Sequence, residues 1–257
     1  MNTKRLILID KLIAKPFGQV LNLFVRLAGQ IFNIDHNLNK EFKTIAICKF
    51  KGMGSILQAT PMMEALHKRY PNATIIFVST SANQQLLSSI HYVNKTVLIN
   101  DKGFFKFIIS SLKALITLIR IRPDVYIDLE IYSDFSTIFA AFTLSKNRLG
   151  FYLRSSSFRM GIYTHMMYFN ASVPISKVYL QFASLFVSDI ENAKLYPFLE
   201  LDKGSITDDK EYLIINPNAS DLRLERRWGE QNFIQLIRLI IHAYPQYEIR
   251  LIGSKDE

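Results

Sequence analysis

Three short stretches of this chain carry side chains whose types and spacing could do chemistry, the first two on a phosphorylated ligand. The first is "KFKGMGSILQATPMMEAL", where Gly52, Met53 and Gly54 make a turn between an apolar strand and a helix. Glycines there let backbone N–H groups approach a phosphate at the start of the following helix. A tight turn with no ligand uses the same glycines, and that reading stays open. The second stretch is "NPNASDLRLERRWGEQNF". Asn216, Asn218 and Ser220 supply hydrogen-bonding groups, and Arg223, Arg226 and Arg227 supply fixed positive charge. A leaving diphosphate needs both. The alternative is a solvated loop anchored by Trp228. The third is "DVYIDLEIYSDF", with the carboxylates Asp128, Glu130 and Asp134. Strand alternation puts Asp128 and Glu130 on one face. The C-terminal end of a parallel strand borders the ligand crevice. Asp134 as a helix cap and Asp128 as a satisfied core group are the competing structural duties.

Other chemistries fit less well. A dinucleotide fingerprint requires a third glycine three residues after the second, and an acid about 20 residues later. Leu57 occupies the glycine position, and the next strand ends "FVSTSAN" without an acid. A nicotinamide-dependent oxidoreductase is therefore disfavoured, and no cofactor is expected. The Gly-Lys-Ser of a nucleotide-binding P-loop is absent. His67, His91, His165 and His242 show no metal-ligand spacing, and His36 lies in the N-terminal segment, so no metal site is expected. The one cysteine, Cys48, excludes an internal disulfide framework and sits in the apolar run "TIAICKF", where a buried, inert thiol is the expectation.

Strands and helices must position these stretches. From residue 43 the chain alternates: strand "TIAICKF", helix "GSILQATPMMEALHKRYP", strands "ATIIFVST" and "VNKTVLIN", helix "GFFKFIISSLKALITLIRIRP", strand "DVYIDLE", helix "DFSTIFAAFTLS" and strand "NRLGFY". Such alternation with short connections predicts an α/β, doubly wound parallel sheet. The helix over 104–121 carries Lys106 and Lys113 and is expected to pack on the sheet rather than span a membrane. A helical stretch, "VPISKVYLQFASLFVSDI", leads into a charged linker. A second unit then opens with strand "EYLIINPNAS", helix "EQNFIQLIRLIIHAYP" and strand "EIRLIGSKDE". One βαβ unit cannot bury both faces of its sheet, so the chain is expected to be truncated, or completed by something else. The predicted units are residues 1–40, 41–204 and 205–257.

The 257 residues carry a net charge of +9, and 49% of them are hydrophobic. That supports a sizeable core and anionic partners. With no arginine-rich tract and no aromatic RNA-binding signature, nucleic acid is not an expected partner. In residues 1–40, Lys11, Lys15, Pro16 and Arg26 interrupt the apolar run too often for a spanning helix. Helical spacing gathers Leu21, Phe24, Val25 and Ala28 on one side. Such a basic amphipathic segment suits a membrane interface; a helix packed on its own protein is the alternative.

Taken in order, three segments resemble glycosyltransferase family 9, the ADP-heptose:lipopolysaccharide heptosyltransferases. They are "IAICKFKGMGSILQATPMMEALHKRYPNATIIFV", "DVYIDLE" with "KNRLGF", and "YLIINPNAS" with "RRWGEQNFIQLIRLI" and "IRLIGSKDE". The likeness spans about residues 43 to 257. It implies a GT-B-like architecture, a Rossmann-like N-terminal acceptor domain followed by the first βαβ unit of a nucleotide-sugar-binding domain. It implies inverting sugar transfer, with heptose as the family default, from a nucleoside-diphosphate sugar such as ADP-heptose to a lipid-linked envelope glycan such as lipopolysaccharide. The implied location is cytoplasmic, at the inner face of the inner membrane.

The resemblance also implies roles for residues. Family members carry an aspartate after the glycine of the first loop as the base, and this chain has Ser55 there. A neutral hydroxyl is a poor proton acceptor near neutral pH. Glu130, with Asp128 behind it, is the candidate substitute. Gly52, Met53 and Gly54 form the acceptor-side loop. Arg226 stands where the family has a basic residue before the tryptophan of its Lys-x-Trp pattern, and with Arg227, Asn218 and Ser220 makes the candidate diphosphate site. The family's later nucleotide-binding segment is not in this chain, which on its own is expected to be inactive. A non-catalytic sugar- or nucleotide-binding relative is the second reading.

Overall fold

The computed structural model of the protein describes residues 15–187, 211–217 and 228–253. The chain divides into two compact units, Met1–Leu201 and Asp202–Glu257.

The first unit is built on a parallel sheet. Its strands are β1 (Thr44–Cys48), β2 (Thr74–Thr80), β3 (Lys95–Ile99), β4 (Val125–Asp128), β5 (Asn147–Tyr152) and β6 (His165–Tyr168), in the order β3-β2-β1-β4-β5-β6. Every pairing is parallel. The chain runs outward from β1 to β3, then returns to place β4 on the other side of β1. That reversal makes the gap beyond the C-terminal ends of β1 and β4 the topological switch point, where open α/β sheets bind ligands. β1 and β4 read as continuous apolar runs because helices cover both faces of the sheet.

Alternate residues feed two cores. Ile45, Ile47, Phe77, Ile127 and Phe151 point to one face, and Ala46, Cys48, Ile76, Val78 and Tyr126 to the other. Helix α1 (Lys15–Phe32) precedes the sheet. After β1 come α2 (Met53–Leu57) and α3 (Thr60–Arg69). Then α4 (Gln84–Ser88) follows β2, α5 (Phe104–Ile121) follows β3, α6 (Asp134–Phe142) follows β4 and α7 (Arg159–Ile162) follows β5. Helix α8 (Ile175–Ala183) follows β6. The core beneath α3 and α8 holds Met62, Leu66, Val178 and Phe182. The opposite core is closed by α5 and α6 through Ala114, Leu118, Phe139 and Ala140.

The single helix expected over 54–70 is two helices. Pro61 has no N–H to continue the bonding of the first turn. Thr60 Oγ1 donates to the Leu57 carbonyl instead, at 2.7 Å, and the chain bends there. β6 has no counterpart among the predicted strands; "HMMY" is a short edge strand with only partial burial.

The second unit holds β7 (Tyr212–Ile215), α9 (Glu230–Ala243) and β8 (Glu248–Leu251), with β7 and β8 paired in parallel. α9 has no buried residue.

Candidate functional site

The loop after β1 is held from both sides. Ser79 Oγ donates to the Lys49 carbonyl at 2.6 Å, and Thr80 Oγ1 and Asn83 Nδ2 donate to the Phe50 carbonyl at 3.0 Å each. These three residues come from the end of β2 and the turn after it. From the β4 side, Glu130 Oε1 accepts the Phe50 N–H at 2.8 Å and the Lys51 N–H at 3.2 Å. Its other oxygen pairs with Lys49 Nζ at 2.8 Å. Glu130 thus takes both the backbone and the cation of the β1 loop at the switch point. Charge-assisted bonds of this kind are short and directional.

Gly52 then turns the chain with φ +90°, a conformation that L side chains rarely adopt. Its carbonyl accepts the Ser55 and Ile56 N–H groups at 3.0 and 3.1 Å and starts α2. Gly54 needs no special backbone, and a methyl group there would meet open space. Met53 is exposed at the tip.

Ser55 lies beside Tyr179 of α8, near enough for its hydroxyl to oppose the rise in that phenol's pKa. Tyr179 is almost wholly enclosed. Burial, and then the negative charge of Glu130, push its phenol up to about 12, so it remains a hydroxyl at neutral pH. Sequence reasoning missed Tyr179, and nothing local in "KVYLQ" signals a contact with a loop so far back in the chain.

Asp128 is fully buried. Tyr163 donates its hydroxyl to Asp128 Oδ2 at 2.6 Å, and the Glu130 N–H donates to Oδ1 at 2.9 Å. Burial outweighs these donors and pushes the carboxyl up to about 6 from an ordinary 3.8. Tyr163 is bonded in turn to Thr137 Oγ1 at 2.9 Å. Strand alternation predicts a shared face for Asp128 and Glu130. β4 ends at Asp128, however, so Glu130 lies past the pleat and its carboxylate swings to the neighbouring loop. Asp134 pairs with the enclosed Arg159 at 3.4 Å. Ser133, one residue earlier, caps α6 by accepting the Ser136 N–H at 3.2 Å.

The structure therefore gathers Lys49, Gly52, Ser55, Glu130 and Tyr179 around one loop, with Asp128 beneath it. Glu130 is the carboxylate with solvent access there, since Asp128 and Asp134 are buried. Cys48, just before the loop, is buried, and burial pushes its thiol well up. Among the described residues no three potential metal ligands cluster. The predicted diphosphate residues Asn218, Ser220, Arg223, Arg226 and Arg227 lie outside the described residues. At the margins of that stretch, Asn216 follows β7 and is exposed, and Trp228 packs edge-on to Phe233 at 5.1 Å.

No protein-family model matches the chain. Nor does any curated protein match it. Solved structures do. The glycosyl transferase family 9 protein from Veillonella parvula DSM 2008 superposes with a TM-score of 0.67 at 17% identity, covering 87% of this chain and 65% of that one. E. coli ADP-heptose LPS heptosyltransferase II gives 0.62 at 18% identity, covering 83% of this chain and 65% of that one. E. coli heptosyltransferase WaaC, solved with ADP-2-deoxy-2-fluoro heptose, gives 0.64 at 15% identity, covering 83% and 70%. This chain thus spans about two thirds of the length of the proteins it resembles. It shares the α/β Rossmann-like fold of these GT-B glycosyltransferases.

Proposed function

We propose that this protein is an inverting glycosyltransferase. In this reading it moves a sugar, heptose by the family default, from a nucleoside-diphosphate donor such as ADP-heptose to a lipid-linked envelope glycan such as lipopolysaccharide. The observation that carries the reading is the β1 loop, held by Glu130 at the switch point of a fold shared with family 9 transferases. The acceptor hydroxyl would approach this loop. Its oxygen attacks the anomeric carbon, the bond from that carbon to the diphosphate oxygen breaks, and the electron pair leaves with the nucleoside diphosphate. The proton from the acceptor goes to Glu130, which then gives up its ion pair with Lys49. Asp128 holds the Glu130 backbone, and Ser79, Thr80 and Asn83 hold the loop. Arg226, Arg227, Asn218 and Ser220 would receive the departing diphosphate, whose growing charge needs fixed donors. Residues 1–40 would bring the enzyme to the inner face of the membrane that carries its acceptor.

Incubation of the full-length protein with a panel of nucleoside-diphosphate sugars and lipid-linked acceptors tests this. Acceptor-dependent release of nucleoside diphosphate, cut about 100-fold by Glu130→Gln, is expected. The pH profile separates a base from a loop-holding residue: loss of the base removes the acidic limb of kcat/KM, whereas a loosened loop lowers the whole profile. One observation favours a second reading. Ser55, a neutral hydroxyl, stands where family members have a carboxylate. A non-catalytic relative would bind the nucleotide sugar and release nothing.

A further inference from the structure

Helix α1 packs on the first unit with its less apolar side. Gly18 lies so close to the Phe158 ring that a methyl group there would collide with it, and Asn22 and Arg26 donate to the carbonyls of Phe158 and Met160. Leu21 and Val25 join Phe158 and Ile162. The opposite row, Val20, Phe24, Leu27 and Ile31, recurs at helical spacing and faces solvent, with Phe24 63% and Ile31 76% exposed. Helix α5 does the same. Ser111, Ala114 and Leu118 face the core, while Phe105, Ile109, Leu112 and Ile116 lie outside, with Phe105 78% exposed. Lys106, Lys113 and Arg120 recur every two turns and form a basic row beside that apolar row. Neither helix contains a single acidic residue. Both pack against α6, so they lie on the same side of the sheet. No described helix is long and apolar enough to cross a membrane.

We infer that the outer faces of α1 and α5 form one docking surface for an anionic lipid bilayer, with α5 as a second anchor beyond residues 1–40. On α5, apolar side chains flanked by Lys and Arg make the composition of a helix lying in a membrane interface. Charge decides the occupant. A second copy of the chain would bring like-charged rows together, whereas an anionic headgroup layer neutralises them. The position has a consequence. In a parallel sheet each following helix starts at the C-terminal edge, so Phe104 and Phe105 lie at the same edge as the Gly52 loop and Glu130. A docked α5 would hold that edge at the lipid surface, within reach of a lipid-linked acceptor. This last point rests on the transferase reading; the docking itself does not.

Sedimentation of the full-length protein with vesicles of 30% phosphatidylglycerol in phosphatidylcholine tests the inference without any sugar transfer. The wild type should bind these vesicles, and bind phosphatidylcholine alone at least ~10-fold more weakly. The triple variant Lys106→Gln/Lys113→Gln/Arg120→Gln should lose about 100-fold in partitioning, given the usual attraction of each basic residue to an anionic surface. Phe105→Ser/Ile109→Ser should also lose binding, with an unchanged melting temperature, because these side chains are outside the core. Unchanged binding by both variants would overturn the proposal. So would a dimer in solution that the same substitutions dissociate.

Discussion

The two faces of the six-stranded sheet are covered by helices of different design. On one face, α3 and α8 turn Met62, Leu66, Val178 and Phe182 inward, and leave no large apolar side chain strongly exposed. On the other, α5 seals its core with Ser111, Ala114, Leu118 and the partly buried Phe107, and shows Phe104, Phe105, Ile109 and Leu112 to solvent. α1 adds a second outward apolar row on that side. Apolar burial is the main driving force of folding, and the first face follows it fully. The second follows it only as far as the core requires. Rows of exposed large apolar side chains mark contact surfaces, so the difference between the faces divides stability from association.

Substitutions can break that division. Phe182→Ala on the sealed face should cost about 3–5 kcal/mol by chemical denaturation, since the ring is fully buried and packs on Phe151 at 4.9 Å. A cost near zero would mean that α8 does not close this core. Asp128, reaching into the opposite core, gives a pH-dependent effect of somewhat smaller size. Its carboxyl titrates near 6 in the fold against 3.8 ordinarily. Between those values the folded state holds more protons than the unfolded chain, so its contribution to stability falls as pH rises from about 4 to about 6. At about 1.4 kcal/mol per pH unit the loss is about 3 kcal/mol. Asp128→Asn should remove that part of the slope in denaturation curves taken across the range; an unaltered slope would place the titration elsewhere. The smallest change belongs to the exposed row of α5. Ile109→Ser or Leu112→Ser should alter stability by no more than about 0.5 kcal/mol. A larger loss would show that this face is core after all.

Much of this was legible in the sequence, for identifiable reasons. Continuous apolar runs such as "TIAIC" and "VYID" mark strands buried on both faces, and their alternation with helices gives the parallel sheet. The "KGMG" turn falls at the switch point because β1 is the first strand and β4 returns beside it. Long-range choices were not legible. Spacing in α1 groups Leu21, Phe24, Val25 and Ala28, but Phe158 packs on Gly18, so Leu21 and Val25 turn inward and Phe24 outward. Glu130 was legible by its place at a strand end; its hold on the Phe50 and Lys51 N–H groups depends on β4 stopping at Asp128. Tyr179, Ser79 and Asn83 reach the loop from other elements and Tyr163 holds Asp128 beneath it, and each reads locally as an ordinary core or turn residue.

The most direct test of the account compares two acceptors in one transfer assay. The same glycan is presented to the full-length protein either on vesicles containing phosphatidylglycerol or stripped of its lipid in solution. Wild-type protein should release nucleoside diphosphate with both. Phe105→Ser/Ile109→Ser should slow transfer to the vesicle-bound acceptor at least ~10-fold and leave the soluble acceptor unaffected. Equal rates for wild type and variant on vesicles, or no acceptor-dependent release by the wild type with either acceptor, would contradict it.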